Sequence, residues 1–170
     1  VLAQSVEQTA QGVRLDVGKD KFRCEVMFYS PSIVRVVKWP QAVMPGEKSL
    51  AVVMTPGKTK LEVTETADVV TLKSHEVSVT LDKADGLVAF ADADGNSLLK
   101  EQGAPVFTPI ESGVDKDYYR VSQAFRLDED EAIYGLGQLQ TGKMSQRDQQ
   151  KYLIQSNLED SSPFFQSIKG

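Results

Sequence analysis

The chain has 170 residues, a formal net charge of −5, 41% hydrophobic and 25% charged residues, which is long and apolar enough to bury a substantial core rather than remain disordered. Its basic residues are scattered, which argues against nucleic acid or an anionic membrane as the main partner, because both need concentrated positive charge. No apolar run approaches the roughly 20 residues of a membrane-spanning helix.

The N-terminus, VLAQSVEQTAQG, lacks the basic region and the full apolar region of an intact signal peptide. Val-Leu-Ala-Gln, with the small Ala3, is compatible with the end of a cleaved one. The expected compartment is therefore periplasmic or secreted, with the cytoplasm as the alternative.

From Gly12 the pattern is alternation with period two, the signature of half-buried strands. In Gly12–Val17 the apolar set is Val13, Leu15 and Val17, with Arg14 and Asp16 on the opposite face. In Lys21–Phe28 it is Phe22, Cys24, Val26 and Phe28. Cys24 is the only cysteine, which excludes an intrachain disulfide and a thiolate metal cluster, and its place in that apolar set reads as a buried structural thiol. Ser32–Trp39 is rich in β-branched residues and ends at Pro40. Pro45-Gly46 and Pro56-Gly57 mark loops.

Leu61–Thr66, Val69–Ser74 and Glu76–Asp82 follow as strands in quick succession, the last with Val77, Val79 and Leu81 inward and Ser78 and Thr80 outward. His75, the only histidine, reads as a polar residue at a strand edge. It could serve neither a multi-histidine metal site nor a Ser-His-Asp triad, since no serine stands in a nucleophile-elbow context. Asp85-Gly86 and Asp94-Gly95 are hairpin-turn dipeptides around strands at Leu87–Ala91 and Ser97–Lys100.

Tyr118–Leu127 reads as one long strand with Tyr119, Val121, Phe125 and Leu127 on one face and Gln123 as the polar exception. Asp128-Glu-Asp-Glu131 reads as a solvated turn, without the spacing of a twelve-residue calcium loop. Ile133–Leu136 is short and apolar, and Ser145–Ile154 is compatible with a turn or two of helix capped by Ser145. Short strands with turn signals every ten residues or so predict an all-β, antiparallel β-sandwich with little helix.

Gly137-Gln-Leu-Gln-Thr-Gly-Lys-Met144 fits seven positions of the phosphate-loop pattern. Met144 supplies no hydroxyl for magnesium, no βαβ pattern surrounds it, and 26 residues are too few to complete a nucleotide-binding sheet. The match reads as chance, and no cofactor or metal site is expected.

Tyr134-Gly-Leu-Gly-Gln138, then Gln146-Arg-Asp148, then Pro163-Phe-Phe165 resembles the end of the N-terminal domain of glycoside hydrolase family 31, the α-glucosidase and α-xylosidase family. Val77-Ser-Val-Thr-Leu-Asp82, Gly86-Leu-Val-Ala-Phe90 and Asp92-Ala-Asp-Gly95 resemble that domain's central hairpins. The two glycines flanking Leu136 would allow a sharp turn, with Leu136 anchored inward and Tyr134 beside it. Gln146 stands where the family often has Asn, Gln138 replaces the commoner Glu, and Gln149-Gln150 departs from Pro-Gly.

The resemblance implies a galactose-mutarotase-like supersandwich over residues 1–170, with 138–170 a loop and strand leading toward a catalytic barrel that would follow Gly170. Both carboxyl groups of a retaining mechanism would lie in that barrel, so this chain alone is expected to be inactive. Its partners would be the parent protein's own barrel and an oligosaccharide substrate. Arg147 and Asp148 are the residues the resemblance places at the substrate: Asp accepts hydrogen bonds from sugar hydroxyls, and Arg donates to them or holds the Asp. The rival reading is a stand-alone carbohydrate-binding module, whose stacking platforms would be Trp39, Tyr118 or Tyr119, although each lies in or beside an apolar strand pattern that suggests core packing. A mutarotase-like enzyme is the third reading, and a single histidine outside any cleft motif disfavours it.

Overall fold

A computed structural model describes residues 6–18, 21–43, 49 and 51–169, which form two compact units, one up to Arg126 and one from Leu127. Ala3 and Pro45-Gly46 lie outside the described residues. There is no helix among the described residues.

In the first unit, β1 (Val6–Gln8), β2 (Gly12–Val17), β3 (Phe22–Phe28) and β4 (Val34–Pro40) form an antiparallel sheet in chain order. A six-stranded antiparallel sheet holds β5 (Glu62–Glu65), β6 (Val69–Lys73), β7 (Val77–Asp82), β8 (Val88–Asp92), β9 (Ser97–Glu101) and β12 (Phe125–Arg126), in that spatial order. A separate hairpin joins β10 (Val106–Pro109) to β11 (Tyr119–Ser122).

Period-two patterning explains the sandwich. Register pairs Val13 with Val26, Leu15 with Cys24 and Val17 with Phe22, so the apolar sets of β2 and β3 share one face. They pack with Val70, Leu72, Val79, Leu81 and Val88 of the larger sheet as a single core. Arg14 and Arg23 on the outer face pair with Glu25 and Asp16 at 3.0 and 2.9 Å. Pro40 is accommodated because β4 is an edge strand, where a missing amide breaks no ladder.

The expected strand over Tyr118–Leu127 is two strands. β11 joins β10, β12 joins β9, and the chain changes sheets at Gln123-Ala124. The Gln123 amide makes the break by donating to the carbonyls of Gly103 and Ala124 at 3.1 and 3.0 Å. β1 and β10 were not anticipated from the sequence; at three and four residues neither carries a readable alternation.

The second unit is a hairpin of β13 (Ile133–Gln138) and β14 (Asp160–Ser167) with an irregular excursion between them. The Tyr134–Gln138 element is not a sharp turn but a bulged strand, with its register shift between Gly135 and Gly137. Gly135, Leu136 and Gly137 all have positive φ, at 101°, 66° and 102°. A Cβ on Gly137 would lie 1.9 Å from the Asp160 carbonyl oxygen, so the glycine is required by the closeness of β14.

Candidate functional site

Arg147 and Asp148 lie in the excursion between β13 and β14, and no helix forms there. The Gln146 amide donates to the Ile133 carbonyl at 2.7 Å, the Arg147 amide to Ser145 Oγ at 3.3 Å, and Asp148 has φ of 56°. A left-handed residue at the fourth position ends any helix that Ser145 could cap, and Asp is among the few non-glycine residues that tolerate it.

Arg147 is pinned. Its Nη1 donates to the carbonyls of Asp128 and Glu131 at 2.7 and 2.8 Å, and its Nε lies 3.8 Å from Asp148 Oδ2. The Asp148 carboxylate, with 88% of its side chain exposed, projects from this clamp. The arrangement sets a pinned cation beside an exposed carboxylate.

The acidic run beneath it is not wholly solvated. Asp128, Glu129 and Asp130 are exposed, but the Glu131 side chain is 1% exposed. Its carboxylate accepts from Ser167 Oγ at 2.6 Å and from the Asp128 amide at 2.9 Å, and it lies 3.1 Å from Lys169 Nζ, which also meets Asp128 at 2.7 Å. Burial alone would push the Glu131 carboxyl up; the Ser167 hydroxyl, the Asp128 amide and the Lys169 ammonium outweigh it and hold it below the usual range. Nothing in DEDE marks the fourth acid as inward. Its one signal is the apolar Ile133 two positions on, at the start of β13.

Of the three aromatic candidates, Trp39 is buried, Tyr119 half-buried and Tyr118 70% exposed, so core packing holds for Trp39 and fails for Tyr118. His75 sits exposed between β6 and β7 beside Glu76. Among the described residues no group of His, Cys, Asp and Glu side chains could hold a metal ion, and no helix is long and apolar enough to cross a membrane. Gly137–Met144 runs from the end of β13 into a turn with no helix after it, so its letters do not form a phosphate cradle.

A second polar feature lies in the first unit. Lys38 on β4 and Glu101 on β9 pair across a cleft, their side chains only 8% and 7% exposed. Alternation carries the signal for both: Lys38 shares a face with Val34 and Val36, and Glu101 with Leu99.

Residues 23–168 match the family described as the glycosyl hydrolase 31 N-terminal galactose mutarotase-like domain. The fold is similar to that of an α-xylosidase of glycoside hydrolase family 31 from Xanthomonas citri, at 32% identity and a TM-score of 0.89, over 96% of this chain and 18% of that one. It is also similar to a family 31 α-xylosidase from a soil metagenome, in a complex with xylose (22% identity, TM-score 0.79, 98% of this chain and 27% of that one). A third likeness is to a family 31 dextranase from Flavobacterium johnsoniae, in a complex with glucose (15% identity, TM-score 0.75, 98% and 21%). The last two likenesses speak to the fold alone, and the chain spans about a fifth to a quarter of the length of these enzymes. With the sandwich, the bulged Tyr-Gly-Leu-Gly strand and a match over 23–168, the chain belongs to the N-terminal galactose mutarotase-like domain family of glycoside hydrolase family 31.

Proposed function

We propose that this chain is the non-catalytic N-terminal part of a retaining α-glycosidase of the α-xylosidase or α-glucosidase type, packing on a catalytic barrel and lending its Arg147–Asp148 loop to the substrate cleft. The observation that carries the reading is the surface of the second unit. From Leu127 onward, Ile133 is the one buried hydrophobic side chain among the described residues, while Met144, Tyr152, Leu153, Ile154, Leu158, Phe164 and Ile168 are exposed. A two-stranded hairpin with one buried isoleucine cannot offset its own ordering entropy, and so much exposed apolar surface calls for a protein partner. A barrel in the same polypeptide is the partner that the family supplies. An exported parent enzyme, acting in the periplasm or outside the cell, belongs to the same reading.

The loop's part follows from its geometry. Arg147 is held by two carbonyls, which fixes the backbone next to Asp148, and a carboxylate hydrogen-bonded to sugar hydroxyls contributes about 1.5–3 kcal/mol. In the full-length enzyme, Asp148→Ala is expected to lower kcat/KM on an aryl α-xyloside or α-glucoside by roughly 10- to 150-fold. The 170-residue chain alone is expected to show no turnover of either. Unchanged kcat/KM in Asp148→Ala overturns the loop's role, and turnover by the isolated chain overturns the non-catalytic assignment. The second reading, a stand-alone carbohydrate-binding module, draws on the exposed ring of Tyr118. Loss of glycan binding in Tyr118→Ala with the fold intact would favour it.

A further inference from the structure

A cleft of about 310 Å³ opens where the edge strand β4 meets β8, β9 and the β10–β11 hairpin. Its walls are apolar, with Val34, Val36, Phe90, Leu99, Phe107 and Val121 among them. Val121 is 60% exposed, which places the mouth in solvent. The Lys38–Glu101 ion pair sits in this apolar lining.

The polar pair is only half used. Glu101 Oε2 accepts from both Lys38 Nζ and the Val88 amide, the latter at 2.7 Å. Both of these bonds fall on Oε2; Oε1 takes no hydrogen bond among the described residues, and Glu101 lines the cleft. The Lys38 ammonium has three protons and, among the described residues, gives one to Glu101; it also lies 5.8 Å from the centre of the Phe22 ring. Sheltering such a pair is a poor way to stabilise a fold, since well-packed apolar residues of similar volume do as well or better. A free carboxylate oxygen beside an ammonium with spare protons matches two neighbouring hydroxyls, one donating to the carboxylate and one accepting from the ammonium. The phenylalanine and aliphatic walls match a C–H face.

We propose that this cleft binds a single pyranose ring, with adjacent hydroxyls on Glu101 Oε1 and Lys38 Nζ and the ring's apolar face against Phe90 and Phe107. The site goes beyond the proposed function: it needs neither the Arg147–Asp148 loop nor a barrel. The test is titration of the isotope-labelled chain with D-xylose and D-glucose, followed by amide NMR shifts, with cyclohexanol as an apolar ring bearing one hydroxyl. Saturable shifts at Leu99, Glu101 and Val121 are expected for at least one sugar with Kd of about 1–10 mM, and weaker ones for cyclohexanol. Val121→Trp, which fills the cleft without touching the ion pair, is expected to abolish them. No saturable shift with either sugar, shifts that survive Val121→Trp, or equal binding of cyclohexanol would each overturn the proposal. The loop is tested by turnover of the full-length enzyme, so either reading can fail without the other.

Discussion

Glu131 holds a negative charge with almost no contact with water, and its stability depends on pH with a definite sign. Its folded pKa lies below that of the unfolded chain, about 4.3, so its contribution is complete above that value and lost as pH falls through the folded one. Lys169 works in the other direction. Its hydrogen bond to Asp128 raises its pKa, so its contribution is complete below the unfolded value of about 10.4 and lost as pH rises through the folded one. Protection of the Ile133 and Ile168 amides, taken as their exchange rate relative to the unfolded chain at the same pH, is therefore expected to be greater at neutral pH than below about pH 4. Glu131→Gln, which leaves the Lys169 ammonium without its buried counter-charge, is expected to cost about 1–3 kcal/mol and remove that acid dependence. Protection of these amides that is the same at neutral pH and at about pH 3 would refute the assignment. Cys24 has the opposite fate: burial pushes its thiol up to about 12, against a small lowering by Lys38. Aromatic disulfide reagents at pH 8 should leave it unmodified in the native chain and titrate one thiol after denaturation.

At the scale of the element, the bulged strand β13 is the most demanding piece of backbone. Gly137→Ala would place a methyl group 1.9 Å from the Asp160 carbonyl oxygen at a φ of 102°. The ladder to β14 must open, at a cost above the 1–2 kcal/mol of a left-handed residue alone. Faster amide exchange over Ile133–Gln138 and Asp160–Ser167, with β2, β3, β6 and β7 unchanged, is the expected result. The strands of the sandwich were legible because each has one face in the core. Val13, Leu15 and Val17 or Val79 and Leu81 cannot alternate as they do and face anything else. Elements without such a face were not legible. β1 and β10 are too short, and the change of sheet at Gln123 is announced only by one polar residue in an apolar row. The Gly-Leu-Gly stretch showed that special φ values were needed, but not that a strand would carry them. Arg147 and Asp148 came from family resemblance, because a pinned Arg and an exposed Asp leave no periodic trace. The Lys38–Glu101 pair joins residues 63 apart, a distance that alternation cannot bridge.

Across the whole molecule, stability is distributed unevenly. The first unit buries twelve side chains in one cluster, and Leu72→Ala, at a fully buried position, is expected to cost about 2–5 kcal/mol in urea unfolding. Among the described residues the second unit has no comparable core. Amides over 139–159 are therefore expected to exchange quickly in the 170-residue chain and to gain protection in the proposed barrel-bearing parent protein. Equal, strong protection throughout the isolated chain would mean that the exposed apolar row needs no partner.

The strand order also has a consequence for folding. Among the described residues almost every ladder joins strands that are neighbours in sequence, and only β9–β12 passes over an intervening hairpin. Each meander can therefore find its register locally, and the slow event is the meeting of two preformed sheets. The first sheet is complete at Pro40, but Leu72, Val79 and Leu81, which cover it, follow up to some forty residues later. At 5–20 residues per second of synthesis, Leu15, Val26 and Phe28 stay uncovered for roughly two to eight seconds on the ribosome. In that interval a sticky half-sandwich is open to chaperones and to its own copies, which makes the rate of translation between β4 and β7 a determinant of yield.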